Sequence, residues 1–195
     1  GKFLHQIRNT IGCSVYGLDI SEHAAKTAKH NYDLDIFTGL IVNAPFLPNS
    51  FNMITAWQYL EHVHNPSEVL QKFYNLLKPD GICIISTPNF NSFSAKVFKD
   101  RWYGLDCPRH LYIYTPETIN KLLQKAGFSL AAISYDKSSK NLIKSLQYYF
   151  YDNNYSPEHR DRVKKTLMIK AVLSPLSRIF ALLKRSDNMI VIAKK

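Results

Sequence analysis

The feature that most constrains this chain is a strand, a helix, a turn and a second strand following one another between Phe51 and Thr87. Phe51 to Trp57 (FNMITAW) is rich in β-formers and reads as a strand. Asn65-Pro66-Ser67 then opens a helix, in which Val69, Leu70, Phe73, Leu76 and Leu77 recur at the 3.6-residue period of one buried face. Lys78-Pro79-Asp80-Gly81 reads as a sharp turn that ends it. Ile82 to Thr87 (ICIIST) is a continuous apolar run, the kind that a parallel sheet buries on both faces.

The same alternation extends in both directions. Residues 2–10 carry Phe3, Leu4 and Ile7 at helical spacing, and Ser14 to Ile20 (SVYGLDI) reads as a strand ending in Asp19. Ser21 caps a helix to about His30, and a short strand follows near Ile36-Phe37. Residues 88–114 are aromatic and aperiodic, a length of loop that is uncommon without a function. Thr115-Pro116-Glu117 starts a helix that Gly127 stops, and Ser129 to Tyr135 is strand-like. Residues 141–184 read as helix broken at Pro157 and Pro175, before a closing strand at Met189 to Ala193. Alternating strands and helices imply an α/β fold with a mainly parallel, doubly wound sheet.

With 195 residues the chain can bury one substantial core. It has no apolar run of the ~18 residues that a spanning helix needs. Cys13, Cys83 and Cys107 are scattered and lack metal-site spacing, so they read as reduced thiols of a cytoplasmic protein. The chain opens without Met and enters a helical pattern at once, as if cut inside a motif. Its charge of +10 is uneven: residues 1–136 hold 12 Lys/Arg against 11 Asp/Glu, and residues 137–195 hold 13 against 4. Such asymmetry bears on partners rather than on fold.

The ordered set Gly1, SVYGLDIS, FNMITAWQYLEHV, LLKPDG and ICIISTPN resembles class I S-adenosylmethionine-dependent methyltransferases, and more narrowly the bacterial group related to ubiquinone-pathway O-methyltransferases. The resemblance covers about residues 1–136. It implies a Rossmann-like sheet with an antiparallel last strand, the first strand being missing here and Gly1 standing as the last glycine of the cofactor turn. It also implies three parts: residues 1–136 as an incomplete S-adenosylmethionine-binding core, 137–187 as a basic helical insertion or lid, and 188–195 as the last strand of the core sheet.

The resemblance also assigns residues. Asp19 and Ile20, at the end of the second family strand, would meet the cofactor ribose, where a carboxylate can accept from both hydroxyls. Leu40 stands where the family often has an acidic residue facing adenine, so adenine would pack on Leu40 and bond to the backbone of Ile41. Trp57 and Gln58 follow the next strand at the mouth of the cofactor site. Relatives with Glu-x-x-Glu-His there hold a divalent metal. This chain has Gln58-Tyr59-Leu60-Glu61-His62, one carboxylate fewer, so no metal is expected. His62 is then a candidate general base, and Glu61 and His62 otherwise start a loop and bond to backbone. The family places acceptor-binding elements after the fifth strand. That makes His110 a second catalytic candidate and Tyr59, Arg101, Trp102, Arg109 and Tyr112 acceptor-binding candidates, against a plainer reading in which the aromatics only pack the loop.

Residues 160–185 alternate basic side chains with Val163, Leu167, Val172, Leu176, Ile179, Phe180 and Leu183. Two readings stay open: a helical lid packed on the domain or a twin subunit, or an interfacial helix on anionic lipid that gives peripheral membrane contact. Nucleic acid is not an expected partner, because the main body lacks a basic stripe. The function expected is methyl transfer from S-adenosylmethionine to a small or lipid-linked acceptor, with O-methylation as the expected chemistry. The rivals are an NAD-dependent oxidoreductase, in which Asp19 would serve equally well, and a non-catalytic module that acts at a membrane surface.

Overall fold

The computed structural model describes residues 1–150 and 167–195. Its chain divides into two compact units, Gly1–Leu47 and Pro48–Lys195, a boundary that falls inside the expected 1–136 core. The break expected at Pro157 and the first part of the basic segment, with Val163, Lys164 and Lys165, lie outside the described residues.

In the first unit, helix α1 (Lys2–Ile11) precedes β1 (Gly17–Asp19), α2 (Glu22–Tyr32) and β2 (Ile36–Thr38), and β1 and β2 pair in parallel. The Ser21 side chain accepts from Ala24 N–H at 3.2 Å, so α2 begins where its cap predicts. Two side-chain donors of Arg8 reach the carbonyls of Tyr32 and Asp33 at 2.7 and 2.9 Å, which fastens α1 to the end of α2. Ala28, Leu34, Ile41 and Ala44 are its buried apolar residues.

The second unit is built on β3 (Phe51–Trp57), β4 (Leu77–Pro88), β5 (Ser129–Tyr135) and β6 (Asn188–Lys194), in the spatial order β3-β4-β6-β5. β3 and β4 are parallel, whereas β6 is antiparallel to both β4 and β5, so β6 alone runs against the others. This is the mixed, mainly parallel α/β sheet with an antiparallel last strand that was expected. Alternate residues Met189, Val191 and Ala193 of β6 are fully buried, as are Cys83 and Ile85 of β4. Helix α3 (Pro66–Leu76) buries Val69, Leu70, Phe73 and Leu76, and α5 (Pro116–Lys125) buries Ile119 and Leu123. A smaller apolar cluster joins α4 (Phe93–Phe98), α6 (Lys140–Phe150) and α7 (Leu167–Leu182), with Ala95, Phe98, Trp102 and Leu142 buried at its centre.

Three expectations change. Lys78–Gly81 does not separate helix from strand. β4 starts at Leu77, and its pairing with β3 jumps from Phe51–Leu77 to Met53–Ile82, so these four residues bulge from a continuing ladder. Asp80 takes a left-handed backbone (φ 62), and a Cβ on Gly81 would lie 2.8 Å from the Lys78 carbonyl oxygen. Pro175 does not break its helix: α7 runs through it, with Leu173 and Leu176 on either side packed in the smaller cluster. The 88–114 stretch contains α4 and two 3-10 turns, Lys99–Arg101 and Tyr103–Leu105. Among the described residues no helix is long and apolar enough to cross a membrane.

Candidate functional site

Ligands of open α/β sheets gather at the carboxyl ends of the strands. Each unit presents candidates there. In the first, Asp19 ends β1 and is exposed, with its Oδ1 accepting from Ser21 N–H at 2.9 Å. Its backbone carbonyl accepts from Gly39 N–H at 3.0 Å, which holds the loop after β2 beside it. Ile20 is exposed, Leu40 is half-exposed at 51%, and Ile41 is buried. A Cβ at Gly1 would press on Tyr32 and Ala28 at 2.8 and 2.9 Å, so that residue is confined to glycine by close approach to α2.

In the second unit Trp57 ends β3 and is exposed. Gln58 adopts a left-handed backbone (φ 49), and its side-chain amide donates to Ser86 Oγ at 3.3 Å, across the ends of β3 and β4. A non-glycine residue held in that region marks a place where the surroundings dictate the backbone. The turn Leu60–His62 follows.

Glu61 is fully buried there. Thr87 Oγ1 donates to Glu61 Oε2 at 3.1 Å, while Oε1 has no hydrogen-bond partner among the described residues. Burial pushes the Glu61 carboxyl above its ordinary range, with its own backbone N–H, Thr87 and the two nearby histidines pulling the other way. The Glu61 carbonyl accepts from Leu111 and Tyr112 N–H at 2.8 and 3.3 Å, which brings the aromatic loop over the turn.

That loop delivers His110 to His62. The two rings lie 4.7 Å apart, and Glu61, His62 and His110 each place a ligand atom within 4.8 Å of the others. His62 Nδ1 donates to the Arg109 carbonyl at 2.9 Å, and His110 Nδ1 donates to the Gly104 carbonyl at 2.8 Å. A carbonyl can only accept, so both neutral rings keep the Nε2 lone pair for a proton or a cation. Asp106 Oδ2 lies 3.8 Å from His110 Nε2, so a proton taken up there gains a carboxylate neighbour.

The remaining loop residues are held by the protein itself. Trp102 is 2% exposed, and its indole Nε1 donates to Asp187 Oδ1 at 2.9 Å. A side chain on Gly104 would overlap that indole, so glycine is what lets the ring close on the loop. For Trp102 this replaces the expected acceptor contact with an anchoring role: the ring is inside. Arg101 donates to the Tyr149 carbonyl at 3.0 Å, and Arg109 pairs with Asp106 at 2.7 Å while remaining exposed. Tyr112 stacks on Tyr114 and donates to the His64 carbonyl at 3.0 Å. Tyr59 is half-buried, immediately before the Leu60–His62 turn.

Sequence reasoning left Glu61 and Asp106 out of the site. Glu61 is signalled as the one carboxylate left of the Glu-x-x-Glu-His pattern, but nothing in QYLEH distinguishes a buried carboxylate from a surface one. Asp106 becomes visible only once the loop's hydrogen bonds are known.

A family model described as a methyltransferase domain matches residues 1–133. A ubiquinone biosynthesis O-methyltransferase of Thiobacillus denitrificans is 33% identical over 156 residues, covering 72% of this chain and 67% of that protein. One from Azoarcus is 30% identical over 136 residues, covering 63% of this chain and 58% of that protein. The chain thus spans between 58% and 67% of the length of these two relatives. A crystal structure of a SAM-dependent methyltransferase from Archaeoglobus fulgidus superimposes with a TM-score of 0.65 at 20% identity, covering 100% of this chain and 81% of that one. That likeness is one of fold.

Proposed function

This chain belongs to the class I S-adenosylmethionine-dependent methyltransferases, and from that premise we propose that it methylates a hydroxyl group of a small-molecule or lipid-linked acceptor. The observation that carries the choice of a hydroxyl is the convergence of Glu61, His62 and His110 beside the end of β3. A sulfonium methyl is already electrophilic, so transfer needs alignment more than activation. An amine attacks with its own lone pair, whereas a hydroxyl must lose a proton as its oxygen bonds to the methyl carbon and the carbon–sulfur bond breaks. The Nε2 of His62 or His110 is set to take that proton, since each ring's Nδ1 is committed to a carbonyl. The relatives named for O-methylation of the ubiquinone pathway favour the same acceptor chemistry.

In the first unit, cofactor binding falls to Asp19 for the ribose hydroxyls and to Leu40 and the Ile41 backbone for adenine, with Ile20 and Gly1 as further candidates; in the second unit, Trp57 and Gln58 are the cofactor candidates. Acceptor binding falls to Tyr59, Arg101, Arg109 and Tyr112. A second reading of the histidine cluster is favoured by Glu61 Oε1, a buried oxygen without a partner among the described residues. Glu61, His62 and His110 have the donor types of a divalent cation site, and such an ion would lower the pKa of a bound hydroxyl.

Calorimetric titration of S-adenosylhomocysteine tests the cofactor assignment. Asp19→Ala should weaken binding by roughly 10- to 100-fold, the scale of lost hydrogen bonds to a charged group. Undiminished affinity in that variant would remove Asp19 from the site, and no binding by the wild-type protein would sink the methyl-transfer reading. With a hydroxyl-bearing test acceptor, His62→Ala and His110→Ala should lower kcat by about 100-fold or more while leaving that affinity unchanged.

A further inference from the structure

The carbonyl that holds His110 belongs to Gly104, and the place of Gly104 is set by residues outside the histidine cluster. His110 Nδ1 donates to that carbonyl at 2.8 Å, and the His110 side chain is 8% exposed, whereas His62 is exposed. A Cβ on Gly104 would overlap the six-membered ring of the Trp102 indole, so ring and backbone lie in contact. Leu105 N–H donates to the Trp102 carbonyl at 3.0 Å and closes the turn that carries both. The nitrogen of the indole is fixed as well, since Nε1 donates to Asp187 Oδ1 at 2.9 Å.

Asp187 is held in its turn. It immediately precedes β6, its backbone carbonyl accepts from Asn89 N–H at 2.8 Å, and its Oδ2 accepts from Ser94 Oγ at 3.1 Å. Residues 109–112 are fastened separately. Arg109 N–H donates to the Asp106 carbonyl at 2.9 Å, and Leu111 N–H to the Glu61 carbonyl at 2.8 Å. His62 draws on this second group, because its Nδ1 bonds to the Arg109 carbonyl. The two histidines are thus oriented by different parts of one loop.

We infer that Trp102 and Asp187 are positioning residues for His110: through the Gly104 carbonyl they keep its proton on Nδ1 and leave its Nε2 lone pair open. In a neutral imidazole, the partner of one nitrogen decides where the single proton sits. With Gly104 displaced, the proton can settle on Nε2, and the nitrogen meant to accept a proton is then occupied. This role rests on the proton-acceptor part given to His110 above, whereas the tautomer can be read without it.

Long-range proton–nitrogen NMR spectra of the histidine-labelled protein test this at about pH 9, where imidazole is ordinarily neutral. His62→Gln and His110→Gln assign the signals. Both rings of the wild type should show a protonated Nδ1 and a bare Nε2. Trp102→Phe removes the indole donor and the ring atoms against Gly104, and Asp187→Leu removes the acceptor. Each should lose that signature at His110 and keep it at His62. Asp187→Asn should keep it at both, because its amide oxygen still accepts from the indole. Trp102→Phe is the milder change should Asp187→Leu not fold. With the hydroxyl-bearing test acceptor, Trp102→Phe should also lower kcat by roughly 10- to 100-fold, with affinity for S-adenosylhomocysteine unchanged. An Nε2-protonated His110 in the wild type, an unaltered His110 in Trp102→Phe, an equal change at His62, or the same loss in Asp187→Asn would overturn the inference. Full methyl transfer by His110→Ala would instead sink the proton-acceptor reading, whatever the spectra show.

Discussion

The Trp102 indole donates to the Asp187 carboxylate at 2.9 Å, joining residues 85 positions apart in a site where both are largely withdrawn from water. The other carboxylate oxygen accepts from Ser94 at 3.1 Å. Trp102→Phe keeps most of the ring volume but leaves Asp187 Oδ1 without its donor, which should destabilise the fold by roughly 1–3 kcal/mol. Urea denaturation of the two proteins measures this, and an unchanged midpoint would mean that water replaces the indole at no cost.

Asp187 should also give stability an unusual pH dependence. Burial is the main influence and raises its carboxyl above the ordinary value of 3.8, with Trp102, Ser94 and Ser92 opposing. A pKa higher in the folded than in the unfolded chain means that folding favours the protonated form. The contribution of Asp187 is therefore most favourable below 3.8 and declines as pH rises from there through the raised folded value. Asp187→Asn should flatten that decline in the difference between variant and wild-type stability curves. Trp102→Phe should extend it to higher pH.

Cys83 is buried in β4, and burial pushes its thiol up to about 12. Cys13 and Cys107 are exposed. A thiolate is the nucleophile toward disulfide reagents, so a thiol-reactive chromogen should modify Cys13 and Cys107 in the native protein and leave Cys83 intact. Addition of guanidinium should release the third equivalent. Three equivalents reacting at one rate without denaturant would contradict the placement of Cys83.

Divalent cations discriminate between the two readings of the histidine cluster. If Glu61, His62 and His110 hold an ion, zinc or manganese at about 100 times its Kd stabilises the protein by about 2.7 kcal/mol, visible as a rise in Tm. Glu61→Gln and His110→Ala should each remove that rise. A wild-type Tm insensitive to millimolar cation would leave the two histidines as proton acceptors alone.

Much of this architecture was legible because its elements obey simple periods. FNMITAW and SLAAISY became β3 and β5 with the ends read from sequence, and Asn65 and Thr115 cap α3 and α5 through side chains that accept from Glu68 and Thr118 N–H. Lys78–Gly81 was misread because Pro-Asp-Gly marks equally a turn or a bulge, and only pairing on both sides distinguishes them. Pro175 was misread as a stop, since the packing that outweighs its missing N–H is tertiary. Residues 88–114 hid α4 because six helical residues are too few to show a period. The candidate site was the least legible part. His62 and His110 are 48 positions apart, and the backbone bonds from Leu111 and Tyr112 to Glu61 that bring them together leave no mark on side-chain identity.

The place of β6 between β4 and β5 bears on how the second unit is assembled. β4 ends at Pro88 and β5 at Tyr135, yet the two share no ladder until residues 188–194 arrive between them. Until then each strand offers an open edge, and β4 offers one with fully buried-type residues such as Cys83 and Ile85. Pairing at such separation closes late and slowly, since the intervening chain must be ordered before any bond repays it. The refolding rate should therefore respond more to changes at Val191 than to changes in the locally formed α3. The interval before closure is when the chain is most open to joining another copy edge to edge.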